Sequence, residues 1–197
     1  MLRYFSILGF CIFAMMACQD KASVTSVDRT DKAEKAASAA KTTTNNKIPA
    51  SQRVATGDPL LMTISSTTGK KGEEACVSIK TGSFNGIVGY QHSLNFNPKE
   101  LKYKSTGNYG IAHLSDANFG ATKVDQGLIN FLWYDMNVKG ITVPDETTIF
   151  DLCFEILGES GSKSEISITD NPTAMEVVGP EKTKLPLSVS SGYITSK

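Results

Sequence analysis

Four cysteines, two histidines and a few aspartates are the residues best equipped for chemistry in this chain, and their spacing limits what they can do. Cys11 and Cys18 stand close together near the start, while Cys76 and Cys153 are far apart, so there is no C-x-x-C pair and no Cys/His cluster to read as a metal or redox centre. His92 and His113 lie outside any G-x-S-x-G or H-E-x-x-H pattern. Asp135, Asp145 and Asp151 fall at turns and strand exteriors, where carboxylates are usually only solvated; a glycoside-hydrolysing pair needs two held at a fixed separation across a sugar. A calcium site at Asp135, Asn137 and Asp145 would need the spaced oxygen ligands of a known loop, and that spacing is absent. These residues predict no catalytic centre, no metal and no cofactor, and point to a protein that binds.

The cysteine with the clearest chemistry is Cys18. It is preceded by Arg3, an apolar run from Tyr4 to Ala17, and the stretch Met15-Met16-Ala17. The run is about 14 residues, short of the ~20 a helix needs to cross a bilayer, so it reads as an export signal rather than a permanent span. Met15-Met16-Ala17-Cys18 resembles the bacterial lipobox, with Met15 in place of the usual Leu. The resemblance implies cleavage after Ala17 and a diacylglyceryl thioether on Cys18, with membrane attachment in the bacterial cell envelope. Two or three acyl chains hold a protein on a membrane far better than one. The expectation is a signal peptide over 1–17 and a lipid anchor at Cys18.

Behind the anchor, residues 18–57 are rich in Lys, Ala, Ser, Thr, Asn and Asp and carry no aromatic side chain, so they cannot bury a core and read as a flexible, disordered tether. A chain of ~38 residues spans roughly 35 Å, enough to lift a domain off the headgroups. What remains, 58–197, is the size of one domain. Over the whole chain 20 basic and 20 acidic residues balance to zero, which argues against a nucleic-acid partner, since neutralising phosphates needs a surplus of Lys and Arg on one surface.

After Asp58-Pro59 short alternating runs are separated by Gly, Pro, Asn and Asp, the pattern of an all-β sandwich. Strands are expected at 60–65, 74–80, 87–96, 101–105, 121–124, 128–134, 147–157, 165–169 and 184–195, the last broken at Gly192. Turn residues such as Asn97-Pro98, Asp125-Gln126-Gly127 and Asp170-Asn171-Pro172 divide them. Period two puts Val88, Tyr90, His92, Leu94 and Phe96 on one face, as it does Ile129, Phe131 and Trp133. A third series begins at Ile149 or Phe150 and runs through Leu152, Phe154 and Ile156. These residues should interdigitate between two sheets about 10 Å apart.

Three stretches resemble the cohesin module, the receptor half of cohesin–dockerin pairs. They are Gly69-Lys70-Lys71-Gly72 feeding Glu74–Ile79, the aromatic-alternating run Gly86–Phe96 ending in Asn97-Pro98, and Ile129–Asp135 continuing through Gly140–Asp145 and Ile149–Ile156. Asn97 stands where the family usually has Asp, and His92 where an aromatic is common. The resemblance implies a nine-stranded antiparallel β-sandwich with jelly-roll topology. It also implies that the partner-facing sheet contains 87–96 and 128–134, with Gln91, Ser93, Asn95, Asn130, Leu132, Tyr134 and Asp135 forming the binding face. The partner expected on that analogy is a dockerin-like protein.

Cys76 and Cys153 take the outward phase of their strands, opposite Ala75, Val77 and Ile79 on one and Leu152, Phe154 and Ile156 on the other. In the family these strands are neighbours, which implies a cross-strand disulfide as one outcome and two separate thiols as the other. A rival reading is a polysaccharide-binding lipoprotein, since related jelly rolls bind carbohydrate and fold does not fix function. Sugar binding usually needs exposed aromatic rings, and only Tyr134, Tyr109 and Tyr103 qualify, because Trp133 is expected inside.

Overall fold

The computed structural model describes residues 58–197, and the expected signal peptide, Cys18 and tether lie outside them. The described residues form an all-β sandwich of twelve strands: β1 (Leu60–Ile64), β2 (Thr67–Gly69), β3 (Glu74–Gly82), β4 (Gly89–Phe96), β5 (Leu101–Gly107), β6 (Phe119–Lys123), β7 (Leu128–Tyr134), β8 (Thr148–Ile156), β9 (Lys163–Thr169), β10 (Glu176–Val178), β11 (Leu187–Ser190) and β12 (Gly192–Ser196). One sheet runs β11-β1-β3-β8-β5, and the other runs β2-β12-β9-β4-β7-β6 with β10 also paired to β4.

Each of the nine expected segments overlaps a strand, and the higher count has identifiable sources. β2 and β10 are three residues each, too short to show alternation. The C-terminal segment divides at Ser191, and β12 opens on Gly192, where an added Cβ would sit 2.2 Å from the carbonyl oxygen of Ser65, so only glycine lets the chain pass. The sheets are not wholly antiparallel: β1 pairs β11, and β12 pairs β2, in parallel. Val124 opens a one-turn 3-10 helix instead of ending β6.

Burial follows the alternation within the strands, but not ahead of β4, where the chain before Gly89 is off the strand and Ile87 is buried in place of the expected Val88, which is half-buried. Tyr90, Leu94, Phe131, Trp133 and Phe154 all lie in the interior, and Ile149 and Phe150 are both buried. A shift in the β3–β8 register after Ile79 explains that adjacent pair, because a bulge turns two successive side chains inward. Phe131 stacks on Phe150 at 5.2 Å and Phe119 meets Phe150 edge-on at 4.9 Å, joining the two sheets through aromatic contact. The Trp133 indole N–H donates to the carbonyl of Ala112 at 2.9 Å, which meets its one polar requirement.

Candidate docking face

β4 and β7 pair antiparallel through the register Gln91↔Leu132, Ser93↔Asn130 and Asn95↔Leu128, so directly opposed residues project to the same outer face. Leu132 and Tyr134 are 52% and 57% exposed. β7 is held at this end from both sides: β4 pairs along its length, and the Asn118 side-chain amide donates to the Leu132 carbonyl at 2.8 Å where β6 no longer pairs. Gln91 is half-buried and donates from Nε2 to the Ala174 carbonyl at 3.3 Å. Asn95 and Asn130 are half-buried on the same face, and the Asn130 side-chain oxygen is enclosed without a hydrogen bond.

Two of the expected face residues are not available to a partner. Ser93 points outward yet is fully buried. Its cover comes from a distant segment. β9 pairs β4 up to Thr169↔Ser93, and β10 resumes alongside the same strand at Glu176↔Gln91. Residues 170–175 between them leave the strand line and cross over Ser93, whose hydroxyl accepts the Thr173 N–H at 2.9 Å.

Asp135 is also buried, and it works as a loop clamp. Its carboxylate accepts backbone N–H groups from Asn137 (3.0 Å), Lys139 (2.9 Å) and Gly140 (3.0 Å). The Asn137 bond foremost, then those of Lys139 and Gly140 and the charge of His113 3.8 Å away, hold its pKa below the usual value against the opposing effect of desolvation.

The clamped loop carries residues that the alternation could not find. Met136 and Val138 are 66% and 69% exposed, and Val138 sits at φ 54°, a left-handed conformation rare for a β-branched residue. Met175, just before β10, is exposed as well. Their only trace in the sequence is a pair of apolar residues inside a turn, which period two does not address. Among the described residues six large apolar side chains are exposed, and five of them, Leu132, Tyr134, Met136, Val138 and Met175, lie on β7, the loop after it and the approach to β10.

On the opposite sheet, Cys76 and Cys153 are directly paired across β3 and β8 and joined by a disulfide. The remaining aromatic candidates give little ring surface: Tyr103 and Tyr109 are half-buried, and the Tyr109 hydroxyl bonds to Asp116.

A family model for the cohesin domain matches residues 60–192, and the chain belongs to the cohesin family. It is similar in fold to the sixth cohesin of scaffoldin B from Acetivibrio cellulolyticus, solved in complex with a Cel5 dockerin mutant, at 21% identity and a TM-score of 0.60, over 71% of this chain and 100% of that one. The cohesin of the Coh-OlpA-Doc918 complex from Clostridium thermocellum aligns at 13% identity and a TM-score of 0.60, over 71% and 100%. A non-cellulosomal cohesin from Archaeoglobus fulgidus aligns at 13% and 0.57, over 71% and 92%. Comparison with curated protein sequences gives no match.

Proposed function

We propose that this protein is a non-catalytic docking module, displayed from a membrane by a lipid on Cys18, that binds a dockerin-like protein through the outer face of β4 and β7. The observation that carries this reading is the exposure of Leu132 and Tyr134 on the outer side of β7, followed by exposed Met136 and Val138 in the loop after it. Scattered single apolar residues are normal on a surface, whereas Leu132 and Tyr134 share one strand face with the amides Gln91 and Asn130, the makeup of an interface centre. Two of the similar cohesins were solved with dockerins, which supports a protein partner by analogy. The polysaccharide reading finds less support, because Trp133 is wholly buried and Tyr134 is the one strongly exposed ring near the face.

Residues 57–197, immobilised and exposed to lysate from cells grown with polysaccharide, should retain one protein. Gln91→Arg combined with Leu132→Asp should abolish retention while near-ultraviolet circular dichroism shows the variant folded. Strong binding to a single polysaccharide on a glycan array, with no protein retained, would favour the rival. For the anchor, Cys18→Ser should release the exported protein from the membrane fraction, and continued membrane association would contradict lipidation at this residue.

A further inference from the structure

We infer that reduction of the Cys76–Cys153 disulfide uncovers a binding site for a borderline divalent cation such as Zn2+, built from the two thiolates and the carboxylate of Glu74. In sequence these residues show no metal-binding spacing, since Cys76 and Cys153 are 77 positions apart. The strand register assembles them. Cys76 and Cys153 are opposed across β3 and β8 with Cα atoms 4.1 Å apart, and Glu74 lies two residues before Cys76 on the same outer face. The two sulfurs and a Glu74 carboxylate oxygen all lie within 4.8 Å of one another. Thiolate and carboxylate are both ordinary zinc ligands, and three protein ligands with an open fourth position form a recognised coordination set.

The surrounding charge favours a cation. Glu74 is directly opposed to Glu155 across the strand pair, a like-charge arrangement that is unfavourable on a sheet face. Glu155 is compensated by Lys102 and Lys104, each 3.7 Å away, whereas no ion pair to Glu74 is found among the described residues. Asp151, two residues before Cys153 on the same face, holds a further carboxylate oxygen that is buried without a hydrogen bond. Cys76 and Glu74 are exposed, so both reductant and ion can reach the site.

The chemistry balances through a dithiol. One of its thiolates attacks a sulfur of the disulfide, its second thiol completes the exchange, and it leaves as the cyclic disulfide, having delivered two electrons and two protons to Cys76 and Cys153. The ion then displaces both thiol protons to solvent and takes the Glu74 carboxylate as its third ligand. The site lies on the opposite sheet from the docking face, so a bound partner need not cover it.

The test is an anaerobic titration of the full-length protein with Co2+, after reduction by a phosphine that does not itself compete for the metal. The expected result is one Co2+ per chain, with a near-ultraviolet thiolate-to-cobalt charge-transfer band that Zn2+ abolishes on displacing it. The oxidised protein should give no band, Cys76→Ser should abolish it, and Glu74→Gln should weaken Co2+ binding at least tenfold. Near-ultraviolet circular dichroism, read in the same cuvette before metal is added, reports whether the reduced sandwich is intact. Loss of that tertiary signal on reduction, absence of the band in reduced folded protein, or unchanged affinity in Glu74→Gln would each overturn the assignment.

Discussion

His92 is buried without a polar partner among the described residues. It is fully enclosed between Tyr90, stacked at 4.7 Å, and Phe131 at 4.8 Å, and neither ring nitrogen finds a hydrogen bond among the described residues. Desolvation pushes its pKa down from 6.5 to about 3. The unfolded chain therefore takes up a proton near pH 6.5 while the folded chain stays neutral. Stability is complete above that pH and declines as the pH falls toward the folded value, by up to about 1.4 kcal/mol per unit. Asp116 and Asp135 have depressed pKa values, so their contributions are lost only at lower pH, from the ordinary carboxylate range downward. Between about pH 6.5 and pH 4.5 the decline belongs to His92. Urea unfolding of the wild type should show a lower midpoint at the acid end of that window. His92→Phe, similar in size and lacking the titrating ring, should remove the difference, and an unchanged slope in the variant would count against this account.

At the scale of strands, period two was sufficient wherever a side chain's environment is set by its own strand and its neighbours in register. Leu132 and Tyr134 outside, and Trp133 and Phe131 inside, all follow from alternation alone. It failed where a non-local segment decides burial. Ser93 has the phase of an exposed residue, yet 170–175 crosses over it. Asp135 follows β7 in phase with the core, and its role comes from three N–H groups of a turn that no periodicity describes. The outward phase of Cys76 and Cys153 is legible in the sequence, whereas their pairing follows from the β3–β8 register, which sets them directly opposite each other. That bond closes a long loop between two interior strands of its sheet. Replacing both cysteines with alanine should cost about 2–4 kcal/mol, seen as a lower denaturation midpoint, because the unfolded chain regains the entropy the cross-link removed. A variant as stable as the wild type would mean that β3 and β8 are held by their ladder and core contacts alone.

The molecule as a whole divides its two sheets by chemistry. The β4–β7 sheet presents exposed Leu132 and Tyr134 beside the amides Gln91 and Asn130, whereas the β3–β8 sheet carries the disulfide and the opposed acids Glu74 and Glu155. A docking account assigns partner contact to the first sheet and leaves the second free, and a photo-crosslinking residue tests that division directly. Placed at Tyr134, it should yield one discrete protein adduct when the full-length protein is illuminated on its own cells. Placed at Thr63, exposed on β1 of the other sheet, it should yield none. Equal adducts from both positions, or none from Tyr134 with the protein folded and displayed, would contradict a partner seated on β4 and β7.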